Sequence, residues 1–134
     1  MQTKAVLTRN DVAGILAAAR LEAEKNSWPV TIAVVDDGGH PLALERLDGC
    51  APVGAYIAGE KARTAALGRR ESKGYEEMIN GGRTAFLSAP QLSGMLEGGV
   101  PIVVAGQVIG AVGVSGVKSD QDAQVARAGA AAVA

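Results

Sequence analysis

The sequence predicts an α/β domain built on an antiparallel sheet with helices on both sides. Aliphatic, β-branched segments come in pairs joined by tight turns, Val30–Leu47 and Val100–Val114, and tight turns join antiparallel strands. Before, between and after them lie stretches with apolar residues at helical spacing. The second hairpin is apolar at nearly every position, as in a sheet covered on both faces.

In order, Thr8-Arg9-Asn10-Asp11 reads as a capping box with Thr8 as N-cap. Val12, Ile15, Leu16, Ala19 and Ala23 then form the stripe of a helix from about Asp11 to Lys25, which Asn26-Ser27 and Pro29 end. Val30 to Val35 is a strand, Asp36 to His40 a turn, and Pro41 to Leu47 the return strand. Pro52 suits a helix first turn, and Val53 to Leu67 follows with small residues at Gly54, Ala58, Ala62 and Ala65. That stripe lets the helix lie close to a neighbour, and Gly68 reads as its C-cap. Glu71 to Ile79 is a short helix. Residues 83–98 have no clear period, and Met95-Leu96 is the candidate for a short edge strand. Val100 to Ala105 and Val108 to Val114 pair through Gly106-Gln107, a type II′ turn with Gly first. Ser119-Asp120-Gln121-Asp122 reads as a second capping box before a helix with Val125, Ala126, Gly129, Ala130 and Val133 inside.

A length of 134 residues fits one domain, residues 1–134. Aromatics make up only 3%, so the core must be built from Ala, Val, Leu and Ile. Glycine supplies 18 residues, well above the usual about 7%, which implies close backbone approach between elements or between subunits. The chain is therefore expected to form a homo-oligomer. A net charge of −1 gives no basic field, which argues against a nucleic-acid partner. A lone cysteine, Cys50, excludes an internal disulfide. No signal peptide and no membrane-length apolar run is visible, so the expectation is a cytoplasmic protein with no membrane partner.

Several common chemistries fail at this level. Gly113-Val114-Ser115-Gly116 lacks the spacing of a nucleophile elbow. Gly110 to Gly116 is neither a dinucleotide fingerprint nor a P-loop. His40 is the only histidine, so any Ser-His or Cys-His arrangement must use it, and no metal site can hold a second one. His40 is either a plain turn residue or a ligand and proton carrier. Asp36 and Asp37, with Asp48 one strand later, either shape turns or do acid/base and cation work. Arg46 either clamps a carboxylate or pairs with Asp36 or Asp48. Lys61 and Thr64 share one helix face, turned to a pocket or to solvent.

Taken together, Val34-Val35-Asp36-Asp37-Gly38-Gly39-His40, Leu44-Glu45-Arg46-Leu47-Asp48-Gly49, Glu60-Lys61-Ala62-Arg63-Thr64-Ala65, Gly98-Gly99-Val100-Pro101-Ile102, Gly110 to Gly116 and Ser119 to Asp122 resemble the GlcG/HbpS family of haem-binding-type proteins, also seen as the C-terminal domain of PduO. The resemblance covers nearly the whole chain in order. It implies a profilin-like α/β/α fold with a five-stranded antiparallel sheet flanked by helices, and symmetric oligomers, often octamers. It also implies a small-molecule ligand, with haem as the cofactor of some relatives. Haem ligation would fall to His40, with Cys50, Tyr56, Tyr75, Met78 and Met95 as further candidates. A second reading is an enzyme or enzyme accessory for a small organic acid. Arg46, Lys61, Thr64 and the backbone near Gly99 and Ser115 would then hold the anion, and Asp36 or His40 would carry the proton. A third is an oligomer that only supports a pathway enzyme.

Overall fold

The computed structural model describes residues 1–133. In chain order the elements are helix α1 (Arg9–Lys25), strands β1 (Thr31–Asp36) and β2 (Pro41–Arg46), helices α2 (Val53–Gly68) and α3 (Lys73–Asn80), a 3-10 turn (Thr84–Ser88), strands β3 (Gly99–Val104) and β4 (Gln107–Ser115), helix α4 (Ser119–Ala130) and a closing 3-10 turn (Ala131–Val133). The sheet runs β2-β1-β4-β3, antiparallel at every junction.

It therefore has four strands, not the five expected. Met95 and Leu96 lie outside regular structure. Their segment is held by helix α2 and the start of α3 instead of by a strand: a Cβ on Gly94 would strike the Glu60–Lys61 backbone, and the Leu96 carbonyl accepts from the Ser72 hydroxyl at 2.5 Å. Met95 is consequently tucked inward and buried.

Each face of the sheet has its own apolar layer. Ile32, Val34, Val100, Ile102, Val112 and Val114 pack with Val12, Ile15 and Ala19 of α1 and Val125 and Ala126 of α4. On the other face Ala33, Val35 and Ala111 meet Ala58, Ala62, Ala65 and Ala66 of α2. Strand β1 lies between β2 and β4 and is buried at Thr31 to Val35. The small residues of α2 do what their spacing predicts. A Cβ on Gly113 of β4 would overlap the Ala58 carbonyl and stand 2.5 Å from the Ala62 amide, so helix and strand approach at backbone distance.

The first capping box is present: the Asp11 amide donates to Thr8 Oγ1 at 3.2 Å and the Thr8 amide to Asp11 Oδ2 at 2.8 Å. Elsewhere the ends differ from expectation. Helix α2 is closed by Arg69 in the left-handed region (φ 57°, ψ 32°), while Gly68 stays helical, and a Cβ there would strike the Tyr75 ring. The β3–β4 turn is Ala105-Gly106, both at positive φ (51° and 77°), hence type I′ and not II′. Helix α4 begins after Lys118, whose amide donates to Gln121 Oε1 at 3.3 Å, while Asp122 turns inward and caps nothing for Ser119.

Candidate functional site

The turn from β1 to β2 holds the only histidine beside a carboxylate. It is closed by the Asp36 amide donating to the His40 carbonyl at 3.0 Å and the Gly39 amide to the Asp36 carbonyl at 3.1 Å. Asp36 Oδ1 accepts from the Gly38 and His40 amides, each at 2.9 Å, so the carboxylate is fixed by backbone. Gly39 has φ +79°, and a Cβ there would lie 2.7 Å from Arg63 Cγ, so only glycine lets the Arg63 stem cross the turn. His40 Nδ1 faces the same carboxylate at 3.1 Å from Oδ1 and 3.2 Å from Oδ2. Burial pushes the Asp36 carboxyl up, but the bonds from the His40 and Gly38 amides and from the ring outweigh it and hold it below the ordinary range. Nδ1 must then donate, which leaves Nε2 as the acceptor of the neutral ring. No group among the described residues bonds Nε2, and the His40 side chain is 78% exposed.

His40's neighbours Gly39 and Pro41 line a hollow of about 140 Å³ with Ala33, Val35, Leu44 and Gly59 as apolar wall and Glu60 and Arg63 as charged rim. Glu60 and Arg63 pair at 2.9 Å. Next to the turn, Asp37 pairs with Lys4 and sits 3.8 Å from Arg69 Nη2; Lys4 pulls its carboxyl down most.

Arg46 pairs with neither Asp36 nor Asp48. Its Nε and Nη2 donate to the Cys50 carbonyl at 3.1 and 2.9 Å, pinning the bend after β2. The exposed guanidinium borders a groove of about 680 Å³ with Trp28, Pro29, Leu47 and Asp48. Arg20 and Glu45 form a two-bond pair on its wall, at 2.5 and 2.8 Å.

The remaining expected residues lie inside. Lys61 is 4% exposed; its Nζ donates to the Val114 carbonyl and to Asp122 Oδ2, both at 2.9 Å. Asp122 Oδ1 accepts from the Val117 amide at 3.1 Å. Burial is the main influence on Asp122 and lifts its carboxyl above the usual value, with Lys61 opposing. Thr64 is fully buried and its Oγ1 has no partner among the described residues. The Gly99 amide donates to Ser72 Oγ at 2.8 Å, and Ser115 is buried with its carbonyl near Cys50 Sγ. Lys61 and Thr64 of α2, and Gly99 and Ser115 of the strands beneath it, thus lie in the interior; of these, Ser115 neighbours Arg46, since Thr31 pairs with both and Cys50 touches both. Among the other candidate ligands, Cys50, Tyr75 and Met95 are buried, Met78 is half-buried, and Tyr56 is exposed. Tyr75 is further held between Phe86, stacked at 5.1 Å, and Arg70, 3.9 Å from its ring.

Asp122 and Ser72 were missed as polar anchors. Asp122 had a signal: it precedes Val125 and Ala126 by three and four residues, which puts it on the inner face of α4. Ser72 had none, since its partners Leu96 and Gly99 are set by tertiary packing.

Comparison with known proteins agrees with the resemblance in the sequence. The family model described as "Haem degrading protein HbpS-like" matches residues 7–131. Protein GlcG of Escherichia coli is 66% identical over 115 residues, 86% of this chain and 85% of that one. Among solved structures, a double mutant of HbpS of Streptomyces reticuli superposes with a TM-score of 0.89 at 32% identity, covering 100% of this chain and 91% of that one. A PduOC:haem complex gives a TM-score of 0.84 at 25% identity, covering 96% and 95%. The match along nearly the whole length, together with the helix-covered antiparallel sheet, shows that the chain belongs to the HbpS-like family.

Proposed function

We propose that the chain binds haem, or a closely related iron tetrapyrrole, with His40 as the iron ligand. The single observation that carries this is the state of the ring: Nδ1 is held by a fixed carboxylate, and Nε2 is left open on an exposed surface. A metal-bound histidine commonly has this arrangement. Haem, when bound, would supply an iron that a neutral imidazole can ligate, and His40 would hold it. The surroundings fit such a group. The hollow lined by His40's neighbours Gly39 and Pro41 carries apolar Ala33 and Leu44 that suit a macrocycle edge, and Arg63, paired with Glu60, stands at its rim. Family membership and the haem complex of a structural neighbour support the same reading.

The hollow is smaller than the roughly 300–1,000 Å³ of a typical small-molecule pocket, so one chain covers only part of the group. Leu42 and Leu44 of β2 and Tyr56 of α2 stay exposed on the same side. We infer that a second copy of the chain covers what the first leaves open.

Haemin titration followed by absorbance tests both. Wild type should saturate with a shifted Soret band, His40→Ala should lose that species, and light scattering on the same samples should report a mass above one chain. A wild-type spectrum equal to free haemin, or one unchanged in His40→Ala, refutes the assignment.

A further inference from the structure

We propose that Asp36 is a positioning residue that selects which nitrogen of His40 faces outward; its consequence for iron rests on the haem reading above. The geometry is one-sided. Asp36 Oδ1 and Oδ2 both lie within 3.2 Å of Nδ1, and the carboxylate is itself immobilised by the Gly38 and His40 amides. An ionised carboxylate only accepts hydrogen bonds, so the ring carries its proton on Nδ1 and offers the Nε2 lone pair. The ring also lies close over the turn: a Cβ on Gly38 would lie 2.8 Å from His40 Cε1. Orientation and tautomer are thus set before any ligand arrives. A hydrogen bond from Nδ1–H to a carboxylate also makes Nε2 a stronger donor to a metal. Reducing the iron of a bound haem should therefore be harder than for a histidine without such a partner.

Asp36→Asn separates this role from simple support of the turn. The asparagine oxygen can still accept from the Gly38 and His40 amides, but its NH₂ would donate to Nδ1 and drive the proton to Nε2. The same exchange inverts the tautomer in a serine-protease triad. The first measurement needs no haem. Nitrogen-15 NMR of the lone histidine at about pH 8.5, roughly two units above an ordinary imidazole pKa, should show the Nδ1–H form in wild type and in Asp36→Glu, and the Nε2–H form in Asp36→Asn. The second uses haemin. Asp36→Asn should bind roughly 10–100-fold more weakly, and whatever complex forms should have a higher midpoint potential. An Nε2–H form in wild type overturns the proposal, as does an Asp36→Asn protein with unchanged tautomer, affinity and potential. If wild type shows the Nδ1–H form yet ignores haemin, the haem assignment fails while the positioning role stands. Should Asp36→Asn not fold by circular dichroism, the wild-type tautomer alone decides.

Discussion

Lys61 and Asp122 meet in the interior with both side chains less than 5% exposed. Two charges withdrawn from water are stable only as a pair, so removing one strands the other. Lys61→Met should lower unfolding stability by about 3–5 kcal/mol in urea titrations, because Asp122 would be buried without its cation. Lys61→Met combined with Asp122→Leu should lose less than Lys61→Met alone; a double variant weaker than the single one would contradict this. At this scale the sequence was partly legible. The three-residue spacing of Lys61 and Thr64 correctly put them on one helix face, but the choice between pocket and solvent omitted the interior, where both lie. A lysine reads as exposed unless its partner is known, and the partner is 61 residues away. His40 and Asp36, four residues apart in a glycine turn, are joined by local bonds, yet the sequence pointed to each singly and offered Asp36 to Arg46 instead.

Elements followed their local signals where those signals were sufficient. The Thr8–Asp11 box, the paired hairpin strands and the small-residue stripe of α2 needed only neighbours in sequence. Residues 83–98 did not, since Ser72, the Glu60–Lys61 backbone and Val114 fix them from elsewhere in the chain. The fifth strand expected from the family likeness fails there for the same reason. The closest test of the α2 contact is Gly113→Ala. One added methyl would meet the Ala58 carbonyl and the Ala62 amide, backbone atoms that cannot rotate away. The helix must lift from the sheet, so stability should fall by about 1–3 kcal/mol, the usual range for overpacking. Gly59→Ala on the same helix meets nothing within 4 Å and should be neutral or stabilising in the same thermal melts.

For the molecule as a whole, acid should loosen the fold. Asp11, Glu22, Asp37 and Glu45 are held below their ordinary values chiefly by Thr8, Gln124, Lys4 and Arg20 respectively, and Asp36 also lies low. A carboxyl with a lower pKa when folded binds fewer protons than in the unfolded chain. Its contribution is complete above the unfolded values of 3.8 to 4.5 and disappears as pH falls through the folded ones. Asp122 acts oppositely: its raised pKa means that its contribution declines as pH climbs past 3.8. The depressed group outnumbers it, so Tm should fall steadily below about pH 4, and a Tm flat from pH 5 to 3 would contradict the balance. Among the described residues no helix is long and apolar enough to cross a membrane.

The central position of β1 has a further consequence. Its amides are bonded to strands on both sides and shielded above and below, so deuterium can reach them only when most of the domain opens. The Asp36–His40 turn grows directly from that strand. The exposed His40 ring is therefore mounted next to one of the two inner strands, whose amides should be among the last in the chain to exchange.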